Sequence, residues 1–596
     1  MNDKILLQLM DIFRNEADLN SNKGAIFSLL FLAWHKASET PNCPANLQMK
    51  NCQAISPDDL VETMNRLNSV TSDAAFAINL EDLARLKQLT VSAAISKCLS
   101  MSKSGLLDEY DPTDAVHSFN SLELPYPEDV CDLLVDLAGN IANEEVYLPW
   151  ESNGQLTGRI LKKKAKAMVE AKWHSPVPIL VSSILSGGDQ FHYAYNDPLT
   201  NPHYVKNGQL RIFTTTIARL PFGASSRIEY FEHDLFDRFK EKTRSIDLLL
   251  ARHILAQTKG RAILTAMNSL LFSSGAERSF REDLLNRQQI EAVIAMPPRL
   301  LNDTAIPFAI LILNNEKRCE TVRFVNADTP RFAEAISRTK SRLINLDALV
   351  ETILNTSECS DARNVSTQEI LANDAQLQVG RYVLGATEQK VARLLETTEV
   401  RPLDEIAMLV KPMANSNSEN GISIYEIGAA DLPDYGFIGN PKKQLQIEFK
   451  AEKMKGQFLR PNDIVLIIKG NLGKVGIVPD GIPPPGANGW IAGQSSAVIR
   501  VTDTSQIDPR ALFMLLRSQL GKELVKSLAS GSAIPFVQLR ELKNLRIPVP
   551  SKEESDDAIK ILQEEDLLQH KINELLRQQV SLSENCWSLD SMEIEK

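Results

Sequence analysis

Phe308-Ala-Ile-Leu-Ile-Leu313 sets the fold. Six consecutive apolar residues leave no polar face, as expected of a strand in the middle of a sheet covered on both sides. Working outward, Glu291-Ala-Val-Ile-Ala295 and Ala262-Ile-Leu-Thr-Ala266 read as strands before it, and Val322-Arg-Phe-Val325 as a strand after it. Ile212 to Ala218 is also strand-like. Between these runs, Ile246, Leu249, Leu250 and Ile254 recur at helical spacing, and Phe280 to Leu285 is a second helix. Strands alternating with amphipathic helices predict an α/β fold with a doubly wound sheet.

The flanks have a different texture, and 596 residues exceed what one core usually serves. Residues 1–120 are expected to be a helical domain: Ile5, Leu6, Met10 and Phe13 repeat at helical spacing, and Ser56-Pro57-Asp58-Asp59 has the form of a helix start. Residues 121–385 hold the α/β pattern, and 386–400 a connecting helix. Residues 401–550 are β-rich with many turns, such as Pro461-Asn462-Asp463 and Gly470-Asn-Leu-Gly473, and predict a separate α+β domain. Residues 551–596 are expected to be a terminal helix opened by the capping box Ser551-Lys-Glu-Glu554. On it Ile561, Leu568, Leu575 and Leu582 recur every seven residues with Ile572 on the same seam, while Glu565 and Gln579 make the other half polar. Such a seam needs a partner helix.

The net charge of −11 argues against diffuse binding to nucleic acid. The charge is uneven: residues 401–550 carry 18 Lys/Arg against 14 Asp/Glu, and 551–596 carry 5 against 12. A mildly basic module can therefore bind DNA locally. Seven scattered cysteines without a Cys-x-x-Cys predict reduced thiols and no zinc ribbon. The absence of an apolar run of about 20 residues predicts no membrane span, and with no signal-peptide pattern the expected location is the cytoplasm.

Leu270-Leu-Phe-Ser-Ser-Gly-Ala-Glu-Arg-Ser-Phe-Arg281, Ile290-Glu-Ala-Val-Ile-Ala-Met-Pro297 and Ala305-Ile-Pro-Phe-Ala-Ile-Leu-Ile-Leu313 together resemble the modification (N6-adenine methyltransferase) subunit of type I restriction systems. Tyr425-Glu-Ile-Gly428, Leu459 to Gly470, Gly473-Lys-Val-Gly-Ile-Val478, Gly493-Gln-Ser-Ser496 and Leu545-Arg-Ile-Pro-Val-Pro550 are similar to one target-recognition domain of a type I specificity subunit. The resemblance implies a Rossmann-like methyltransferase domain fused to a single specificity domain. It also implies a cofactor loop of the form Asp-Pro-x-x-Gly-Ser-Gly and an adenine pocket Asn-Pro-Pro-Phe or Asn-Pro-Pro-Tyr.

Both motifs depart from that pattern. In the cofactor loop Pro149 and Gly154 match. Leu148 stands at the acid position, Ser152 at the first glycine, and Trp150 and Glu151 add bulk and negative charge. The acid that would hold the cofactor ribose is not placed by the sequence. In the adenine motif Pro221 and Phe222 fit, but Arg219 stands at the Asn position and Leu220 at the first Pro. Arginine has donors only and cannot accept from the adenine amine. The two changes count as independent losses. They predict a non-catalytic protein with no catalytic residues and no cofactor; the alternative is an active but divergent S-adenosylmethionine-dependent adenine methyltransferase.

Other readings stay beside these. Phe222 either stacks on a base or is packed; Arg219 binds phosphate, pairs internally or is solvated. His192, Asp197 and His203 fit no metal-ligand spacing, so no metal is expected. Pro433-Asp434 with Glu448-Phe-Lys450 has the form of a magnesium nuclease motif, set in text that otherwise matches a recognition domain. DNA contacts are expected from Lys469, Asn471 and Lys474 on the glycine loop and from Gln494 and Ser495; the competing reading is a solvated hairpin. The expected partners are double-stranded DNA and a second copy of the chain or a larger defence complex, joined through Ile561, Leu568, Ile572, Leu575 and Leu582. A pure assembly scaffold remains a further alternative.

Overall fold

Ser56 accepts the amide of Asp59, and Pro57 opens the helix Pro57–Thr71, as its first turn predicts. A computed structural model of the chain describes residues 2–14, 16, 20–118, 125–172, 175–221, 234–243, 245–301, 304, 306–412, 417–447, 456–530 and 536–584. It divides into two compact units, residues 1–383 and 384–596.

The first unit begins with helices. Asn2–Phe13, Ser21–Ser38, Pro57–Thr71 and Gln88–Lys103 surround Phe27, Phe31, Trp34 and Phe76, all fully buried. Ile179, Leu180 and Ile184 of the helix Val177–Ser186 join the same core, which attaches this bundle to the sheet that follows.

Nine strands among the described residues form one sheet: β1 (Glu145–Pro149), β2 (Lys166–Ala171), β3 (Phe191–Tyr195), β4 (Phe213–Ala218), β5 (Thr258–Met267), β6 (Ile290–Ala295), β7 (Phe308–Asn314), β8 (Thr321–Asn326) and, after the small hairpin of β9 (Ala333–Ala335) and β10 (Ser341–Leu343), β11 (Ala362–Ser366). Their order is β11-β8-β6-β7-β5-β4-β1-β2-β3. β1 pairs in parallel with both β2 and β4. β7 runs antiparallel between β5 and β6. All seven residues of β7 are buried, as its unbroken apolar run requires. The sheet is thus mixed, and its carboxyl-end loops from β1, β2, β4, β5, β6 and β8 lie along one edge. Connections leave β1 toward β2 on one side and reach β4 on the other. That reversal of strand order makes the crevice between β1 and β4 the place where open α/β sheets bind their ligands.

The second unit holds a four-stranded sheet ordered β12 (Ala407–Val410), β18 (Ser496–Val501), β15 (Ile464–Ile467) and β16 (Val475–Ile477), and a three-stranded sheet ordered β14 (Lys443–Ile447), β13 (Asn417–Ile427) and β17 (Trp490–Ala492). Helices Pro509–Arg517 and Gln519–Ser527 cover the first sheet. The terminal helix Lys552–Glu584 starts as the capping box predicts: Ser551 N–H donates to Glu554 Oε2 at 2.8 Å, and Glu554 N–H to Ser551 Oγ at 3.2 Å. Leu562 of this helix is buried in the unit's core, and Glu565 takes both guanidinium nitrogens of Arg517 at 2.7 Å. Glu565, on the polar half of the expected seam, therefore has a use inside the unit. Ile561, Leu568, Ile572, Leu575 and Leu582 remain exposed.

Candidate functional site

The loop after β1 and the loop after β4 meet at the crevice between those strands. The two departures from the expected motifs face each other there. Arg219 is buried, and its guanidinium pairs with the buried carboxylate of Glu151. It also donates to Asn153 Oδ1 at 2.6 Å and Gln155 Oε1 at 3.0 Å, and lies 5.2 Å from the ring centre of Tyr126. The other oxygen of Glu151 accepts the amides of Leu156 and Thr157 at the start of the helix Gln155–Lys162. Gln155 in turn donates to Asp114 at 3.0 Å and to the Tyr126 carbonyl at 2.9 Å. Arg219 and Glu151 are therefore coupled, where two independent changes were expected: each buried charge has the other as its counterion, and neither is tolerable alone in a dry site.

The remaining motif residues have packing roles. Leu148 is fully buried in β1, with Pro149 the strand's last residue. Trp150 adopts φ +61°, uncommon for a bulky residue, and its ring meets His253 edge-on at 5.7 Å. Ser152 is buried. Gly154 has φ +80°, and a Cβ there would lie 2.9 Å from Val181. Backbone conformation and helix packing thus account for this glycine. Leu220 is buried, its amide bound to Thr265 Oγ1 at 3.0 Å; Pro221 is half-buried. Phe222 lies outside the described residues.

Glu170, next to last in β2, is an acid that the sequence reading did not single out. It is fully buried. Its one oxygen accepts Tyr147 O–H at 2.8 Å and the other the His203 amide at 2.6 Å. Burial pushes its carboxyl up to about 7. Behind it runs a one-way chain of hydrogen bonds. Arg238 can only donate, so His253 Nδ1 accepts from it at 2.8 Å; His253 Nε2–H then faces Tyr147 Oη at 3.0 Å, and Tyr147 donates to Glu170. Burial, with the Arg238 charge second, holds His253 well below its usual range and keeps it neutral. The clue in the sequence was one acid inside the otherwise apolar run Ala167-Met-Val-Glu-Ala171.

The other candidates fall as follows. His192 Nδ1 lies 2.9 Å from Tyr204 Oη, and Asp197 pairs with Lys172 at 3.0 Å. Asp434 is exposed, in a turn where Gly436 approaches the terminal helix at Asp566 and Gln569. Glu448 and Lys450 lie outside the described residues, so no nuclease geometry is on view.

In the second unit two predicted loops come together. Ile468 and Lys469 donate their amides to the Ser495 carbonyl at 2.9 and 3.2 Å. This latches the Gly493–Ser496 turn to the glycine loop. Gly470 (φ +86°) and Gly473 (φ +78°) let that loop turn tightly. Lys469, Asn471, Gln494 and Ser495 are exposed side by side. Lys474 is half-buried and has a partner within the unit: its ammonium donates to the Ala429 carbonyl at 3.0 Å. Lys522, missed in the sequence, is exposed beside the loop, its Cα 3.8 Å from where a Cβ on Gly473 would lie. It sits in a distant helix, so no local pattern could have revealed it.

With that geometry established, the family models are specific. Residues 184–391 match the N-6 DNA Methylase family, and residues 397–581 the Type I restriction modification DNA specificity domain. A type I restriction enzyme methylase subunit (MjaVII) of Methanocaldococcus jannaschii is 28% identical over 163 residues, 25% of this chain and 28% of that protein. A second methylase subunit (MpnII), of Mycoplasma pneumoniae, is 24% identical over 199 residues, 32% of this chain and 36% of that protein. The chain thus spans about a third or less of the length of these relatives. The type I methyltransferase subunit of Streptococcus thermophilus has a similar fold: TM-score 0.52, 15% identity, covering 64% of this chain and 98% of that one. The chain belongs to the type I restriction-modification proteins, joining an N-6 DNA methylase domain to a DNA specificity domain.

Proposed function

We propose that this chain is a non-catalytic DNA-recognition subunit of a type I restriction-modification or related defence complex, a pseudoenzyme whose methylase fold no longer transfers methyl groups. The buried Arg219–Glu151 pair carries this reading. S-adenosylmethionine presents a sulfonium cation, and methyl transfer needs an acceptor for the adenine amine beside it. This crevice instead holds a guanidinium, which has only donors and cannot accept from the amine. The hydrogen bonds of Glu151 and Glu170 go to groups of the protein itself. The residues present do not fit the cofactor.

Recognition of double-stranded DNA falls to the second unit. Exposed Lys469, Asn471 and Lys522 supply phosphate contacts, and Gln494 and Ser495 reach toward base edges. Ile561, Leu568, Ile572, Leu575 and Leu582 supply the face for a second copy or a larger complex, and the assembly works in the cytoplasm. The test is calorimetry with S-adenosylmethionine alongside a duplex-DNA titration. DNA binding with no cofactor heat is expected; micromolar cofactor binding overturns the non-catalytic reading. Light scattering after replacing Leu568, Ile572 and Leu575 with Ser tests the assembly face, and an unchanged mass in free and DNA-bound samples counts against it.

A further inference from the structure

We propose that the hairpin β9–β10 of the first unit is a second contact for the phosphate backbone of duplex DNA, a proposal that rests on the DNA-recognition reading above. Residues 329–345 carry Arg331, Arg338, Lys340 and Arg342 against the single acid Glu334, in a chain whose net charge is −11. Glu334 pairs with Arg342, and Asp361 with Arg331 at 3.2 Å, while Asp328 and Asp347 flank the segment. Arg338 and Lys340, at the exposed tip with Thr339, keep their charges for something outside the unit.

The hairpin's place makes that something DNA. It follows directly from the carboxyl end of β8, on the sheet edge that carries the β1–β4 crevice. Its root is fixed in two places. Ser341 N–H donates to the Arg299 carbonyl at 2.9 Å, in the loop after β6, and Leu343 N–H to Asp129 Oδ2 at 2.6 Å. Asp129 opens the helix Glu128–Asp136, three residues after Tyr126, whose ring covers Arg219. Phe332 and Leu343 bury their side chains in the core below. The two short strands thus form a rooted ribbon at the same end of the sheet as the crevice, with exposed Arg299 at its base. A duplex lying along this edge would have its backbone over the tip, where two cations can displace condensed counterions. A two-stranded ribbon is also narrow enough to follow a groove.

A competing role is ordinary: charged residues on a short ribbon keep its edge from pairing with other strands. The two roles differ in salt dependence. The experiment is a titration of the full chain against a fluorescein-labelled duplex over a salt series, for wild type, Arg338→Ala/Lys340→Ala and the charge-keeping Arg338→Lys/Lys340→Arg. The alanine pair is expected to weaken binding and flatten the slope of log affinity against log salt by about two units. The charge-keeping pair should retain the wild-type slope, and thermal melting should match across all three. Wild-type binding with an unchanged slope in the alanine pair overturns the hairpin contact and leaves the recognition unit standing. A wild-type chain that binds no duplex at low salt overturns both. Lys469→Ala run in parallel separates the two units: a slope changed by Lys469→Ala and not by the hairpin pair places the DNA on the second unit alone.

Discussion

The crevice of the first unit and the glycine loop of the second are built from similar polar residue types and have opposite fates. At the crevice Arg219, Glu151, Asn153 and Gln155 are buried and bonded to one another. At the loop Lys469, Asn471, Gln494 and Ser495 are exposed, and the fold uses mainly their backbones. A polar cluster closed on itself contributes specificity of packing and has little left to offer a ligand. A cluster held by its backbone presents its side chains outward. What a motif can bind is therefore decided by where its hydrogen bonds already go.

The sharpest way to break that contrast is to remove the cation from the closed cluster. Arg219→Ala leaves Glu151 buried and charged without its counterion, and should cost about 3–5 kcal/mol in urea unfolding. Adding Glu151→Gln should recover part of the loss, with a coupling of roughly 0.5–3 kcal/mol. Additive losses would mean that the two residues do not depend on each other. The motif-restoring pair Arg219→Asn/Leu220→Pro should be destabilised for the same reason and should transfer no methyl group from labelled S-adenosylmethionine to DNA. A methylated product would show that the crevice is open to the cofactor after all.

The next effect separates buried from exposed charge by pH. Glu170, with its folded value raised by burial from 4.5 to about 7, binds its proton more tightly folded than unfolded. That contribution is complete below pH 4.5, shrinks as pH rises through the window, and is gone above about 7, a loss on the order of 3 kcal/mol. His253 works the other way: its value is lowered, so its contribution is present above pH 6.5 and lost as pH falls. Glu170→Gln should therefore be stabilised relative to wild type at pH 8 more than at pH 5, and should lose stability more steeply in acid. Parallel stability curves for the two proteins would remove Glu170 as a titrating group.

The sheet was legible in the sequence because burial on two faces writes itself as unbroken apolar text, as in Phe308 to Leu313, and because β-rich and helical periods alternate around it. The antiparallel direction of that strand was not, since side-chain pattern carries no sign of strand direction. The motif loops were found because Pro149, Gly154 and Pro221 survive in order. Their coupling was invisible: Arg219 and Glu151 are 68 positions apart and meet only because β1 and β4 are neighbours. Glu170 shows as an acid in an apolar strand, yet its partners Tyr147 and His203 meet it only through the fold. The Ala429 contact of Lys474 was not legible, because a lysine beside a glycine loop looks the same whether it faces solvent or a carbonyl.

The smallest effects, and the finest test of the contrast, lie in the three lysines around that loop. Lys469 and Lys522 are exposed, and Lys474 holds the loop from within. If exposed side chains meet phosphate, Lys469→Ala and Lys522→Ala should each flatten the salt slope of duplex binding by about one unit while leaving the melting temperature alone. Lys474→Ala should do the reverse. It removes a charge-assisted bond to a carbonyl, so it should cost about 1.5–3 kcal/mol of stability, with little change in slope wherever the unit stays folded. Lys474→Arg, which keeps a donor of similar reach, should recover part of that stability. Asp434→Ala, exposed on its turn, serves as the control and should move neither quantity. A slope flattened by Lys474→Ala and untouched by Lys469→Ala and Lys522→Ala would invert the assignment. The Ala429 contact would then be one the lysine leaves when DNA arrives, and the second unit would share the closed character of the first until its ligand opened it.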